Sequence, residues 1–239
     1  MMKTVESVMD ELKACGKESY RKTFIRHGIP ADRTFGVSNP DLKAIAKSIK
    51  GQQELALQLF STGNMDAMYL AGIVIDGAKM TRDQLQSWVK GSHGIVVIAN
   101  YSVAWPAIEN EDGWNLALEW IASDDEMTQC SGWSTLSGIV TVTADEKLDL
   151  DKVSKLLDMV QRDVHGARNR TKSAMNTFLI TVGCYVLPLN NKAKEVAKSV
   201  GAVTVDMGDT DCKTKVASDA ISKFEGSGKL GIKRKNVRC

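Results

Sequence analysis

The stretch NPDLKAIAKSI, residues 39–49, decides the fold class of this 239-residue chain. We expect Asn39 to cap a helix here and Pro40 to be its first residue, because proline is favoured at that position. The apolar residues that follow are spaced i, i+3, i+4 and i+7, which places them on one face of an α-helix. They are Leu42, Ile45, Ala46 and Ile49. The pattern predicts an amphipathic helix whose apolar stripe faces a core.

The same helical spacing recurs along the chain, and glycines end many of the segments. Thr81 and Gln84 have the spacing of a capping box ahead of another apolar stripe. Strand-like alternation is almost absent, and residues 203–207 (VTVDM) are interpreted as an extended connector. The further helices are predicted at 55–60, 68–75, 94–108, 113–122, 126–142, 151–164, 168–186, 190–199 and 213–224.

Short helices joined by short turns pack antiparallel, and successive pairs stack to share apolar faces. We therefore predict an all-α fold, an α-α superhelix (solenoid) of HEAT- or armadillo-like antiparallel helix pairs. Units of this type are about 40 residues long and need not repeat in sequence. The pattern also fits a closed bundle. A single domain is expected over residues 1–225, followed by a basic tail at 226–239.

The composition is that of an ordinary globular protein, with 43% hydrophobic and 25% charged residues. A net charge of +2 neither demands nor excludes a nucleic-acid partner. Five scattered cysteines without CxxC spacing predict reduced thiols in a cytoplasmic protein, without a zinc site. The most apolar run, residues 174–189, is shorter than the roughly 20 residues that a bilayer needs. We expect a monomer with no cofactor and no membrane contact.

The segment before the first quoted helix, residues 33–38 (RTFGVS), suggests an anion site. Gly36 permits close backbone approach, and Ser38 or Asn39 caps the helix. Backbone amides at a helix N-terminus can hold an anion such as a phosphate. A plain turn and cap is the alternative interpretation.

Aromatic residues near mid-chain suggest a stacking surface. Tyr101, Trp105 and Trp133 are large amphipathic rings that could stack on a base or a sugar. Aromatic residues at helical spacing are also common in cores. Asn100 lies on an otherwise apolar helix, and a buried amide needs hydrogen-bond partners.

Basic residues cluster in two places. Between residues 161 and 172 four cations are offset only by Asp163, which predicts either a phosphate-binding cluster or a solvated helix end. Residues 229–238 contain five cations and no acid, which predicts either a flexible phosphate-binding arm or a solubilising end. No Walker loop, GxGxxG fingerprint or Ser-His-Asp order is present, so motifs alone assign no reaction.

Six segments together are distinctive: 27–47 (HGIPADRTFGVSNPDLKAIAK), Asn100-Tyr101, the Trp133 helix, 174–189 (AMNTFLITVGCYVLPL), 203–213 (VTVDMGDTDCK) and 231–239 (GIKRKNVRC). Through them the chain resembles a divergent branch of the AlkD-like DNA alkylation repair family, within the HEAT-like-repeat alkylpurine DNA glycosylase superfamily. The resemblance implies a curved solenoid whose concave basic face holds duplex DNA. It also implies excision of N3- and N7-alkylated purines without flipping the base into a pocket.

The family's site residues are only partly matched. An aspartate and two tryptophans line the lesion in this family, and an arginine contacts the DNA backbone. Its Trp-x-x-x-Asp motif falls on Tyr101 and Trp105, so the ring is kept and the carboxylate is not. No arginine stands in residues 133–137, where the paired arginines fall, and the second tryptophan falls near Thr177 or Phe178.

Without that carboxylate, stabilisation of an oxocarbenium-like sugar loses its main contribution unless Glu109 or Asp112 replaces it. We predict a DNA alkylation repair-like protein that binds duplex DNA, either as an alkylpurine glycosylase or as a non-catalytic DNA- or protein-binding scaffold. Catalytic residues stay unassigned. The candidate lesion- or DNA-contacting residues are Asn100, Tyr101, Trp105, Trp133 and Phe178. The candidate phosphate-binding residues are Lys43, Arg162, Arg168, Arg170, Lys172, Lys213, Lys233, Arg234 and Lys235.

Overall fold

The computed structural model describes residues 3–238, and over that range the chain contains thirteen α-helices and no β-strand. The helices are α1 (Val5–Cys15), α2 (Glu18–Arg26), α3 (Asn39–Ser48), α4 (Gln53–Ser61), α5 (Met65–Val74), α6 (Arg82–Lys90), α7 (Ala104–Glu109), α8 (Gly113–Ile121), α9 (Glu126–Val142), α10 (Leu150–Asp163), α11 (Asn169–Tyr185), α12 (Asn190–Val200) and α13 (Ala217–Glu225). A π-helix, Ile98–Val103, directly precedes α7. The predicted all-α class is confirmed.

The chain divides into two compact units. Of the described residues, the first contains 3–113, Met207–Asp211 and Arg238, and the second contains Trp114–Asp206 and Cys212–Val237. In the first unit α5 packs on α3, α4 and the π-helix, and in the second unit α11 packs on α9, α12 and α13.

The starts of α6 and α3 show how the sequence caps its helices. The capping box of α6 is confirmed, because Thr81 and Gln84 exchange side-chain and backbone hydrogen bonds. Helix α3 begins one residue earlier than predicted. The Ser38 hydroxyl accepts the Asp41 N–H and so occupies the N-cap position, which leaves Asn39 inside the helix.

The helix predicted at 94–108 is observed over residues 96–109, but its middle, Ile98–Val103, is a π-helix that leads directly into α7. A Cβ atom at Gly72 of α5 would lie 2.6 Å from the Ser102 Cα, so the two backbones are in direct contact. A π-turn holds one residue more than periodicity anticipates, and such turns are frequent at functional sites. This turn carries Asn100 and Tyr101.

Candidate nucleic-acid interface

The loop before α3 closes around the carboxylate of Asp66, a fully buried residue of α5. Asp66 Oδ2 accepts from the Thr34 hydroxyl at 2.9 Å and from the Phe35 N–H at 2.7 Å. It also accepts the Gly36 N–H at 3.3 Å, and Oδ1 accepts the Val37 N–H at 3.0 Å. The amides of this loop already hold an internal anion. The phosphate interpretation of residues 33–38 is therefore replaced by a turn and cap around a buried aspartate.

Glycine is required at position 36 of this loop. Gly36 has a φ of +79°, and a Cβ atom there would lie 2.5 Å from the Arg21 nitrogen. The Lys17 N–H donates to the Gly36 carbonyl at 3.0 Å. The predicted close backbone approach is confirmed, and its partner is α2 of the same unit.

One of the candidate aromatic rings in the first unit is exposed. Tyr101 is 46% exposed on the π-helix, whereas Trp105 is 2% exposed. The Tyr101 ring lies 5.6 Å from Trp105 and 6.4 Å from Tyr69, measured between centroids. Half-buried Asn100 is its neighbour on the same turn. Tyr101 is therefore an exposed ring that packs against the rings of Tyr69 and Trp105.

Three predicted contact residues are core residues, and we correct their assignment. Trp105, Trp133 and Phe178 each expose 2% or less of their surface. Trp133 of α9 and Phe178 of α11 pack against each other with ring centroids 5.3 Å apart. Trp105 and Phe178 have almost no free surface for a base, so their role is to hold their helices together. Trp133 keeps only a small free surface, which borders the cleft described below.

The two acids that could replace the family's aspartate are both engaged. The Glu109 carboxylate pairs with Arg238 at 2.5 Å and accepts the Gly77 N–H at 3.1 Å. Asp112 is paired with Arg82. Each negative charge is thus already balanced by an arginine within the first unit.

Arg238, near the end of the basic tail, is largely buried in the first unit. Its guanidinium donates to the Ile73 carbonyl at 3.0 Å as well as to Glu109. Burial lowers the pKa of Arg238 below its ordinary value, an effect that Glu109 and Asp76 oppose. At this residue the tail is a structural element of the protein.

The rest of the tail is also held in place, in the second unit. Gly231 and Arg234 donate backbone N–H groups to carbonyls of α11 and α9, at 2.9 and 3.0 Å. Lys233 donates to a carbonyl of α9 at 2.8 Å and pairs with Asp145 at 2.7 Å. The side chains of Arg234 and Lys235 are exposed. Lys233 serves the fold, which leaves those two as the phosphate candidates of the tail.

The second cluster of cations surrounds the turn between α10 and α11. Arg162 and Arg168 are exposed, while Arg170 and Lys172 are half-buried. Asp163 binds Arg162 through two contacts, at 2.8 and 2.6 Å, and this hydrogen bonding raises the pKa of Arg162. The predicted cluster exists, but Arg162 is partly neutralised by its neighbour.

A cleft of about 510 Å³ opens beside this turn. Arg162 and Arg168 stand on its lining, together with the apolar side chains of Met159, Met175 and Trp133. Its volume is in the range of small-ligand sites, roughly 300–1,000 Å³. Cations over apolar side chains suit a phosphate joined to a sugar or a base.

Two candidate cations stand apart from these clusters. Lys43 on α3 is exposed in the first unit, and Lys213, ahead of α13, is exposed in the second. Over residues 3–238, no three His, Cys, Asp or Glu side chains are grouped to hold a metal ion. No helix within that range is long and apolar enough to cross a membrane.

Comparisons with known proteins agree over nearly the whole chain. A family model described as "DNA alkylation repair enzyme" matches residues 8–196. Uncharacterized proteins of Listeria monocytogenes serovar 1/2a and Listeria innocua serovar 6a are 32% and 31% identical over 227 residues, covering 94% of this chain and 97% of each relative.

A solved structure is similar throughout. It is described as "a new family of proteins related to the HEAT-like repeat DNA glycosylases with affinity for branched DNA structures". It matches with a TM-score of 0.90 and 40% identity, covering 99% of this chain and 100% of that one. The predicted HEAT-like helical fold is thereby confirmed.

Proposed function

Because this chain belongs to the DNA alkylation repair enzyme family, we propose that it binds branched DNA without excising alkylated bases. The relative with affinity for branched DNA supports the first half of this proposal, at 40% identity over 99% of the chain. A shared fold alone would not carry a shared function. Duplex binding, predicted from the sequence, is retained as the weaker mode, since the arms of a branch are duplexes. The monomeric state and the cytoplasmic location stay predictions.

The proposal that the protein does not excise bases rests on Glu109 and Asp112, whose carboxylates are already paired with arginines. Glycosidic cleavage of the family's type needs an anion beside the developing positive charge on the sugar. At the position of the family's aspartate stands Trp105, which is 2% exposed. The two nearby candidates for replacing it are held by Arg238 and Arg82. A carboxylate with a bound arginine stabilises a second cation poorly.

Three exposed cations, the half-buried Lys172 and Tyr101 supply the contacts with DNA. The cations that would neutralise phosphates are Arg168, Lys172, Arg234 and Lys235. On duplex arms, each phosphate contact makes the slope of log affinity against log salt more negative by about 0.9. Arg162 contributes less because Asp163 binds it. Tyr101 would stack on a base left unpaired at a branch, a contact of about 1–3 kcal/mol.

The test compares a four-way junction with a linear duplex of the same sequence and total length, by fluorescence anisotropy at several salt concentrations. We expect tighter, salt-sensitive binding to the junction. Tyr101→Ala should weaken junction binding by about tenfold, a change of about 1.4 kcal/mol. Tyr101→Phe, which keeps the ring, is the matched control. Equal affinities for junction and duplex would contradict branch recognition.

A further inference from the structure

Two exposed aliphatic side chains of the second unit, Leu187 and Ile232, form what we name the apolar tip. Leu187 is 56% exposed and Ile232 is 61% exposed, the two highest values for large hydrophobic residues between 3 and 238. Gly231, the residue before Ile232, lies against Leu187, because a Cβ atom at this glycine would lie 3.3 Å from the Leu187 Cβ. Single exposed apolar residues are ordinary, whereas neighbouring ones suggest an interaction surface.

One acid, Asp145, contacts both segments of the apolar tip. Asp145 Oδ2 accepts the Leu187 N–H at 3.1 Å, and Oδ1 pairs with Lys233 at 2.7 Å. Asp145 thereby fixes both the loop that carries Leu187 and the segment that carries Ile232. Gly231, with a φ of +74°, adds a backbone hydrogen bond of 2.9 Å to α11. An apolar pair this well anchored is preorganised for a partner.

The residues around the apolar tip are cationic. Lys229, Arg234 and Lys235 flank Ile232 in the chain, and their side chains are exposed. No acidic residue occurs in the sequence from 226 to 238, although Glu146 is exposed next to Asp145. This charge complements a polyanion. Proteins that enter DNA combine an apolar side chain inserted between base steps with cations on the flanking phosphates.

We propose that the apolar tip is a wedge that inserts into the open base step at a DNA branch point. The proposal rests on the proposed branched-DNA function. It identifies the apolar tip as the part of the protein that distinguishes a branch point from a continuous duplex. Insertion into a continuous duplex is unfavourable because it breaks base stacking. At a branch point stacking is already interrupted, so the same insertion loses much less. The wedge therefore favours a branch over a duplex, while the cations bind both.

The test uses the full-length protein carrying Leu187→Ala together with Ile232→Ala. Dissociation constants are measured for a four-way junction and for a matched linear duplex at one salt concentration. We expect the preference for the junction to fall about tenfold, with duplex affinity nearly unchanged. Ile25→Ala on α2, an aliphatic residue 37% exposed in the first unit, is the matched control. All three side chains are exposed, and far-UV circular dichroism checks that the fold is kept.

A second readout places 2-aminopurine beside the branch point, where its fluorescence rises when stacking is lost. Wild-type protein should raise this fluorescence, and the double variant should not. A double variant that keeps the preference, or that weakens junction and duplex equally, overturns the wedge and leaves branch binding standing. The wedge is also overturned if the double variant sediments differently from wild type but keeps the same preference for the junction. That result would identify the apolar tip as a self-association surface. A wild-type protein without any junction preference overturns both proposals.

Discussion

Replacing Asp66 with alanine should destabilise the first unit by about 4 kcal/mol. The free energy follows from the four groups that donate to its carboxylate. The amides of Phe35 and Val37 lose the carboxylate, whereas the Gly36 N–H retains the Thr34 hydroxyl at 3.1 Å. A buried amide left without an acceptor costs about 1–3 kcal/mol, so two such amides cost about 4 kcal/mol.

Asp66→Asn should cost about half as much, roughly 2 kcal/mol. Oδ2 accepts from three donors and Oδ1 from one, so the carboxamide should keep its oxygen at the Oδ2 position. Its NH₂ group then faces the Val37 N–H, which becomes the one unpaired amide. The ratio of the two losses in unfolding free energy thus reports how the hydrogen bonds divide between Oδ1 and Oδ2 of Asp66.

The assay is urea unfolding followed by far-UV circular dichroism, with unchanged slopes as the check that the two end states are comparable. Hydrogen exchange of the amides at residues 35–37 shows whether the loss is local. Asp10→Ala, at an exposed aspartate of α1, is the control and should fall within about 0.5 kcal/mol of wild type. A loss below about 1 kcal/mol for Asp66→Ala would refute the reasoning.

Three further predictions concern the fold. Arg238→Ala should lower the free energy of unfolding by about 1–2 kcal/mol, measured by urea unfolding, because Glu109 loses its buried partner; an unchanged midpoint would contradict this. Gly132→Ala should lower the thermal midpoint and reduce the free energy of unfolding by about 2 kcal/mol, because the new Cβ would lie 2.7 Å from the Ile121 Cγ2. A variant as stable as wild type would contradict this, because it would show that α8 can shift at no cost. Burial raises the pKa of the Cys130 thiol to about 12, so above pH 9 the unfolded chain loses this proton first and stability falls. Between pH 9 and 11 the loss should be roughly 1 kcal/mol per pH unit greater than in Cys130→Ala; equal slopes would contradict it.

Local chemistry could predict most helices from α3 onward, whereas α1 and α2 were not predicted and α13 begins four residues after its predicted start. The predicted range 126–142 matches α9, whose N-cap Asp125 accepts the Thr128 N–H at 2.8 Å. The π-helix could not be predicted in this way. It coincides with the contact between Gly72 and Ser102, thirty positions apart, while the apolar spacing of 94–108 also fits an uninterrupted helix.

The candidate site was harder to predict than the fold, because exposure depends on tertiary packing. Tyr101 and Trp105 are four residues apart on one helical stretch, yet one is 46% and the other 2% exposed. Nothing in the loop sequence indicates that its anion is Asp66, a residue of another helix. Nor does any local pattern indicate that the backbone before Ile232 packs against Leu187.

The central claim is recognition of a DNA branch without base excision. It is tested most directly by incubating the protein with a four-way junction that carries 7-methylguanine in one arm, and with the matched linear duplex. Complex formation and released base are measured in the same samples. We predict preferential binding to the junction and no release of 7-methylguanine above a protein-free control. Release of the base, or equal binding to the linear duplex, would contradict the account.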